Sequence, residues 1–515
     1  MSIIDIAIIG SGAASTTTLI ELFEKLIDGP ELGKKLNITV VDKYAEFWKG
    51  IPYGSRSSVN SLTITSAADF IPKGKEHDLF FNWFKLNLDE LLKNYGHAGG
   101  LAAEKWIVDN IAPLKAEAWD KVYVPRCFFG IYMQEKLLGL LKAAEKKGLA
   151  EVTLIQAEAI DVEREADGLY KVVLEYPGTN LNTIMVKKLV VAIGSAPVKN
   201  YNKPGVNGLY TYINDIYEPS LDENMKAIHD TLANTPLIAE RNVLLIGSNA
   251  SSIELVYLLN NRPDIKAVIN KLVSISRKGN MPNHIEETPL PSYPCPHLDE
   301  LKATGDYDIH LLVAAAKKDL EQSIQNETVI VPYVDRIVGY TIDLMRFLGE
   351  EAKKIFFGTY GMQITRVIRR SGPAYKEASE ALLQAGLLQL LKGNFVEILT
   401  AGNGGLLKYA DPESGQLAIF DSPFKVIINC TGSDDLQHSS SRLIYKLVNK
   451  NICEVNLSGK GFIANENFEA APNLYVIGPL LGGNMNKRIY FWHIENLARL
   501  LYLAPYLADS LLSDL

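Results

Sequence analysis

The sequence predicts an α/β protein of two Rossmann-like dinucleotide-binding domains, one inserted into a sequence-split other, plus a mostly helical segment. Three observations carry this. An apolar strand, a glycine turn and a helix follow one another at Ile3–Leu26 and again at Asn242–Leu259. Extended stretches at Ile38–Val41, Glu151–Ile155, Tyr170–Glu175 and Leu189–Ile193 alternate with helical patterns, as parallel sheets covered on both faces require. Strand signals then return at Phe395–Leu399, Leu417–Phe420, Val426–Asn429 and Leu474–Ile477. The expected division is a first domain at 1–200 and 394–515, a second at 201–300, and a helical substrate or cap segment at 301–393. Ser195–Pro204, rich in Pro, Asn and Lys, is the expected linker, and the tail Phe491–Leu515 reads as one helix and then another after Pro505.

The first turn reads Gly10-Ser11-Gly12-Ala13-Ala14-Ser15 after the strand Ile3–Ile9. Gly10 permits the tight turn, Gly12 lets the backbone approach a pyrophosphate, and unpaired amides at the helix start bind it. Ser15 stands where Gly or Ala is usual and is small enough for close helix–strand packing. The next strand ends in Asp42-Lys43, which places a carboxylate on a ribose 2′-hydroxyl.

The second turn reads Gly247-Ser248-Asn249-Ala250-Ser251. Asn249 replaces the second glycine and tolerates a left-handed backbone better than most residues. The strand that follows ends in Ser276-Arg277-Lys278 rather than an acid. Basic residues there suit the 2′-phosphate of NADPH; a solvated basic loop is the other reading. Two nested sites suggest FAD in the first and NADPH in the second.

Composition sets the outer limits. The 515 residues are 47% hydrophobic and 22% charged, which excludes a disordered chain or a small disulfide scaffold. Lys plus Arg total 52 against 60 for Asp plus Glu, a net charge of -8, so nucleic acid and anionic membrane are not expected partners. No uncharged apolar run approaches the roughly 18 residues of a membrane span. The four cysteines, Cys127, Cys295, Cys430 and Cys453, are far apart. A cytoplasmic protein is expected.

Several further stretches carry a family resemblance. The loop Phe47-Trp48-Lys49-Gly50-Ile51-Pro52-Tyr53-Gly54 and then Asn60-Ser61-Leu62, the element Phe80–Phe84, and Tyr123-Val124-Pro125-Arg126-Cys127-Phe128-Phe129-Gly130 are among them. So are Ala192-Ile193-Gly194, Asn429-Cys430-Thr431-Gly432 and Tyr475-Val476-Ile477-Gly478-Pro479. Together they resemble two-dinucleotide-domain FAD/NAD(P) flavoproteins and, more distantly, the N-hydroxylating class B flavin monooxygenases. The resemblance implies that Trp48, Tyr53 and Asn60 face the flavin, ordinary loop packing being the other reading, and that Gly194, Gly432, Gly478 and Pro479 lie at returning strands near the cofactors. It also implies NADPH-driven monooxygenation of a small nucleophile, such as an amine, through a C4a-hydroperoxyflavin. Pro479 departs from the Asp common there. The Baeyer–Villiger fingerprint and the redox-active cysteine pair are absent from the sequence.

Other residues keep two readings. Arg126 reaches FAD phosphate or substrate, or pins a helix start. Arg366, Arg369 and Arg370 hold a phosphate or acidic substrate, or form a solvated face. His493, on the expected final helix, moves protons or packs. Cys127 reads as buried and inert, and Cys295, His297 and His284 fall short of a metal site. The Leu- and Tyr-rich tail reads as core or as the face of a homo-oligomer. No catalytic acid or base is singled out. The expected partners are a small-molecule substrate and O2; the remaining alternatives are a flavin reductase without oxygenation and a non-enzymatic FAD scaffold.

Overall fold

The structure, a computed structural model, describes residues 3–30, 33–202, 208–284, 294–325, 330–368 and 370–513. Its first sheet has a parallel core in the order Leu474–Val476, Leu181–Val191, Ile3–Ile9, Leu36–Asp42, Ala150–Gln156. Ile9 is in register with both Val41 and Val191, so the chain leaves the middle of the sheet at its carboxyl edge, where open α/β sheets bind ligands. The glycine helix Ala13–Asp28 buries Leu19, Leu22, Phe23 and Leu26, a 3.6-residue stripe, against this sheet and the final helix Leu497–Leu512. That final helix is continuous through Pro505, which corrects the two-helix expectation. Leu500, Leu503, Leu507 and Leu511 stay on one buried face across the proline. Burying each such side chain contributes about 2 kcal/mol, together more than the ~3 kcal/mol that an interior proline costs.

The second sheet is wholly parallel, in the order Leu388–Lys392, Lys271–Ser276, Asn242–Ile246, Val426–Asn429, Thr211–Ile213. Two of these strands redraw the expected boundaries. Leu388–Lys392 falls in the stretch read as helical, and Val426–Asn429 in the stretch read as the first domain. A short apolar run looks the same in sequence whichever sheet buries it. The return to the first sheet therefore comes after Gly432. The two crossings between the domains lie side by side: Val198 bridges Ser433, and the Asp434 amide donates to the Pro197 carbonyl at 3.0 Å.

The helices Pro296–Thr304, Ile309–Gln325, Ile330–Met345 and Glu350–Ile355 build a separate core around Leu298, Leu312, Leu344 and Phe356. Trp492, beyond the closing strand of the first sheet, belongs to that core. Gly361 lies flat against it; a Cβ there would stand 2.3 Å from the Trp492 Cβ. The helical segment thus covers the loop that leaves the first sheet. No described helix is long and apolar enough to cross a membrane.

Candidate functional site

At the first turn Gly10 has φ +98°, and a Cβ on it would meet the Ala192 carbonyl oxygen at 2.4 Å. Only glycine fits. Gly12 caps the helix in an extended conformation, without any side-chain cap bond. The first amides of the helix, at Ala13 and Ala14, have no intrahelical acceptor by geometry. Ser15 is fully buried and its hydroxyl donates to the Gly10 carbonyl. A roof lies over the turn: the Trp48 amide donates to the Ser11 carbonyl at 2.8 Å, and Thr16 donates to the Trp48 carbonyl at 2.8 Å. A Cβ on Gly50 would stand 2.9 Å from the Gly12 Cα, so the backbone meeting Gly12 most closely is this loop. Trp48 itself, at φ +82°, is 2% exposed.

Asp42 ends its strand as expected. One of its oxygens accepts from the Ser11 amide at 2.7 Å and the Ser11 hydroxyl at 2.8 Å, and the other from the Tyr44 amide at 3.0 Å. The carboxylate is thus tied to the turn it was expected to serve. Lys43 and Arg56 both reach Glu218, at 3.3 and 3.0 Å, and Arg56 stacks 3.8 Å over the Tyr44 ring.

The second turn repeats the geometry without the roof. Gly247 has φ +105°, and a Cβ would meet the Cys430 carbonyl oxygen at 2.6 Å. Asn249 caps the helix Ala250–Asn260 at φ -92°, in the extended region. The expectation of a left-handed backbone at this position is therefore corrected: neither Gly12 nor Asn249 needs a positive φ. Ser248 and Ser251 are half-buried and Ala250 is exposed. Arg277 and Lys278 follow the strand Lys271–Ser276, are exposed, and make no ion pair among the described residues.

Between the turns lies a cluster the sequence reading missed. Glu254, on the second glycine helix and 5% exposed, accepts from Arg126, from the Ser61 hydroxyl and from the Tyr217 hydroxyl at 2.8 Å. Burial pulls the Arg126 guanidinium down, but Glu254 together with Tyr375, Tyr217 and Tyr53 more than offsets this and holds it above its ordinary value. Burial and Glu254 together push the Tyr217 hydroxyl well up. Arg126 does start a helix, Arg126–Lys146, as one of its two readings had it. A sequence signal was present: Glu254 is the one charge in Ala250–Asn260, a helix with apolar residues on all sides, where a carboxylate requires a buried partner.

The remaining candidates separate. Tyr53 packs edge-on against Phe129 at 5.3 Å, with burial raising its hydroxyl to about 12. The Asn60 amide donates to the Gly99 carbonyl at 3.1 Å. Gly194 and Gly432, at φ +80° and +87°, have open space where a Cβ would stand. Gly478 and Pro479 begin a short turn whose Gly478 lies 3.4 Å, measured from a built Cβ, from Ala14 at the first helix start. His493 lies in the loop before the final helix rather than on it, with Arg499 donating to its carbonyl. Its expected helical place is thereby corrected. His297 sits 2.7 Å from Asp319, which also accepts two amides at the start of that helix. The side chains of His284 and Arg366, and Arg369 as a whole, lie outside the described residues; Arg370 is half-buried.

Comparison with known proteins places this geometry. The chain is 35% identical, over 99% of its length and 96% of theirs, to uncharacterized proteins Rv3403c of Mycobacterium tuberculosis and Mb3437c of Mycobacterium bovis. It belongs to their family. Residues 7–196 of this family member match a model described as FAD-NAD(P)-binding. Among solved structures, an ornithine N-hydroxylase of Kutzneria sp. 744 aligns with TM-score 0.54 at 13% identity, covering 99% of each chain. The FAD-bound cadaverine monooxygenase of Erwinia amylovora aligns at 0.52 and 13%, covering 99% of this chain and 94% of that one. The fold is that of the two-domain N-hydroxylating flavin monooxygenases.

Proposed function

We infer that this protein is an FAD-dependent, NADPH-using monooxygenase acting on a small primary amine. The carrying observation is the pair of uncapped helix starts, one roofed and one open, at the carboxyl edges of two parallel sheets. The first fits FAD: it has an orphaned row of amides, two positions without room for a Cβ, and a carboxylate at the ribose place. In this reading Gly10, Gly12, Ala13, Ala14 and Ser15 hold the pyrophosphate and Asp42 the ribose, with Gly194, Gly478 and Pro479 nearby. Gly247, Ser248, Asn249 and Ser251 hold the second pyrophosphate, and Arg277 and Lys278, exposed and without an ion pair among the described residues, take the 2′-phosphate. FAD, when bound, supplies the hydride and oxygen chemistry. The chain itself binds, orients and excludes water, which agrees with a site in which no side chain among the described residues is arranged as a nucleophile.

The amine class is supported by neighbours of the same fold: the solved structures include a cadaverine monooxygenase, an ornithine N-hydroxylase and an L-lysine 6-monooxygenase, each named for an alkyl amine. The deciding experiment mixes the yellow protein anaerobically with NADPH and then follows NADPH oxidation in air with cadaverine, ornithine and lysine, measuring peroxide in parallel. An amine that raises NADPH consumption while lowering peroxide supports the reading. Bleaching with no amine response makes the protein a flavin reductase, and no bleaching makes it an FAD-binding scaffold.

A further inference from the structure

The cluster around Glu254 joins parts of the chain that belong to different domains. Ser61 and Arg126 come from the first domain, on the loop after the roof and the helix beneath it. Their own backbones are tied, the Arg126 amide donating to the Ser61 carbonyl at 2.9 Å. Glu254 comes from the second glycine helix, and Tyr217 from the second domain's loop after the strand Thr211–Ile213. A second tie runs parallel: Tyr375, on the second domain's helix Pro373–Gln384, accepts from the Leu62 amide at 2.9 Å and donates to the Leu62 carbonyl at 3.0 Å.

We propose that Arg126 and Glu254 are positioning residues, a buried interdomain ion pair that sets where the second glycine helix stands relative to the roofed turn of the first domain. The physical reason is the cost of the alternative. The Glu254 side chain is 6% exposed and that of Arg126 21%; a carboxylate so far from water is tolerable only against its cation, and sliding one domain past the other separates them. Arg126 Nε is already buried without a partner, so the guanidinium has nothing in reserve among the described residues if Glu254 withdraws. A third tie reaches the same place from the other side. Arg56 Nε donates to the Tyr217 carbonyl at 3.0 Å while the Tyr217 hydroxyl holds Glu254, so the first-domain loop that carries Arg56 and the second glycine helix share one strap. This rests on the two-coenzyme reading above only for its consequence, the rate at which electrons pass from NADPH to FAD.

The test uses the full chain with FAD bound and two variants. Glu254→Gln keeps the shape and the hydrogen-bonding oxygen but removes the charge; Tyr217→Phe removes one hydroxyl and leaves the ion pair. Hydrogen exchange is expected to rise about tenfold in peptides spanning 57–63 and 250–257 of Glu254→Gln, and less in Tyr217→Phe, with the rest of the chain unchanged. Anaerobic flavin reduction is expected to slow by about tenfold in Glu254→Gln while the half-saturating NADPH concentration moves by less than about threefold. Unchanged exchange in both segments overturns the proposal. So does uniform loss of protection along the whole chain, which marks the pair as general stabilisation, and so does raised local exchange with an unaltered reduction rate. A wild-type protein that NADPH does not bleach sinks the two-coenzyme reading instead, and the exchange data still decide whether the pair holds the helix.

Discussion

The turn at Gly10 and the turn at Gly247 share one backbone design and differ in their surroundings. Ser11 is 1% exposed and Ala13 8%, with the Trp48 loop hydrogen-bonded across them, whereas Ala250 at the equivalent helix start is exposed. A roofed site suits a group that arrives once and stays; an open one suits a coenzyme that comes and goes with each turnover. Gly12 and Asn249 report the same difference. Both are extended; a Cβ on Gly12 would touch the Gly50 Cα at 3.5 Å, leaving room for a methyl group but not for a longer side chain beneath the roof, and where no roof presses an asparagine is accommodated.

The comparison breaks most visibly at the tight turns. Gly10→Val forces a branched side chain into φ +98° with its Cβ 2.4 Å from a carbonyl oxygen. That strain costs about 3 kcal/mol, and the purified variant should be colourless. Gly247→Val carries the same strain in the other turn and should stay yellow while losing NADPH binding, as titration calorimetry would register. If both variants lose flavin alike, the turns do not serve separate coenzymes. A smaller contrast comes from exchanging the middle residues. Gly12→Asn pushes a side chain into the roof and should cost about 2 kcal/mol in thermal unfolding, while Asn249→Gly should stay within about 0.5 kcal/mol. Equal shifts would mean that the roof is not what selects glycine. Arg277→Ala should weaken NADPH binding about tenfold and leave NADH unaffected, the loss of one charge-assisted phosphate contact; an equal loss for both coenzymes removes the 2′-phosphate assignment.

The smallest effect is chemical. Burial raises the Cys127 thiol, behind the roof, to about 11, and the Cys430 thiol, beneath Gly247, to about 12. An unfolded chain releases these protons near 8.5. Below that pH the thiols are neutral in both states and neutral for stability. As pH rises from there through the folded values, the unfolded state sheds protons that the folded state keeps, and stability falls. Iodoacetamide at pH 8 should therefore label the native protein far more slowly than the denatured one, with Cys127 reacting before Cys430 as pH is raised.

Much of this architecture could be read before any coordinates. Strand, turn and helix announce themselves by apolar period and by glycines with no substitute, and Gly10, Ser15, Asp42 and Gly247 stand where those patterns put them. Sheet membership could not be read, because Val426–Asn429 is only three apolar residues and an asparagine, a run that either sheet could bury. Partnerships at long range were equally hidden: Arg126 and Glu254 are 128 residues apart, and only the fold makes one the answer to the other. The roof over Gly12 was assigned by resemblance to the flavin, and its grip on the turn itself is visible only in the hydrogen bonds of Trp48.

The paired crossings at Val198 and Ser433 bear on motion. A single bridge and one hydrogen bond fasten the two segments to each other at one point. Any movement of one domain against the other therefore passes through both strands together, and neither can shift while its neighbour stays still.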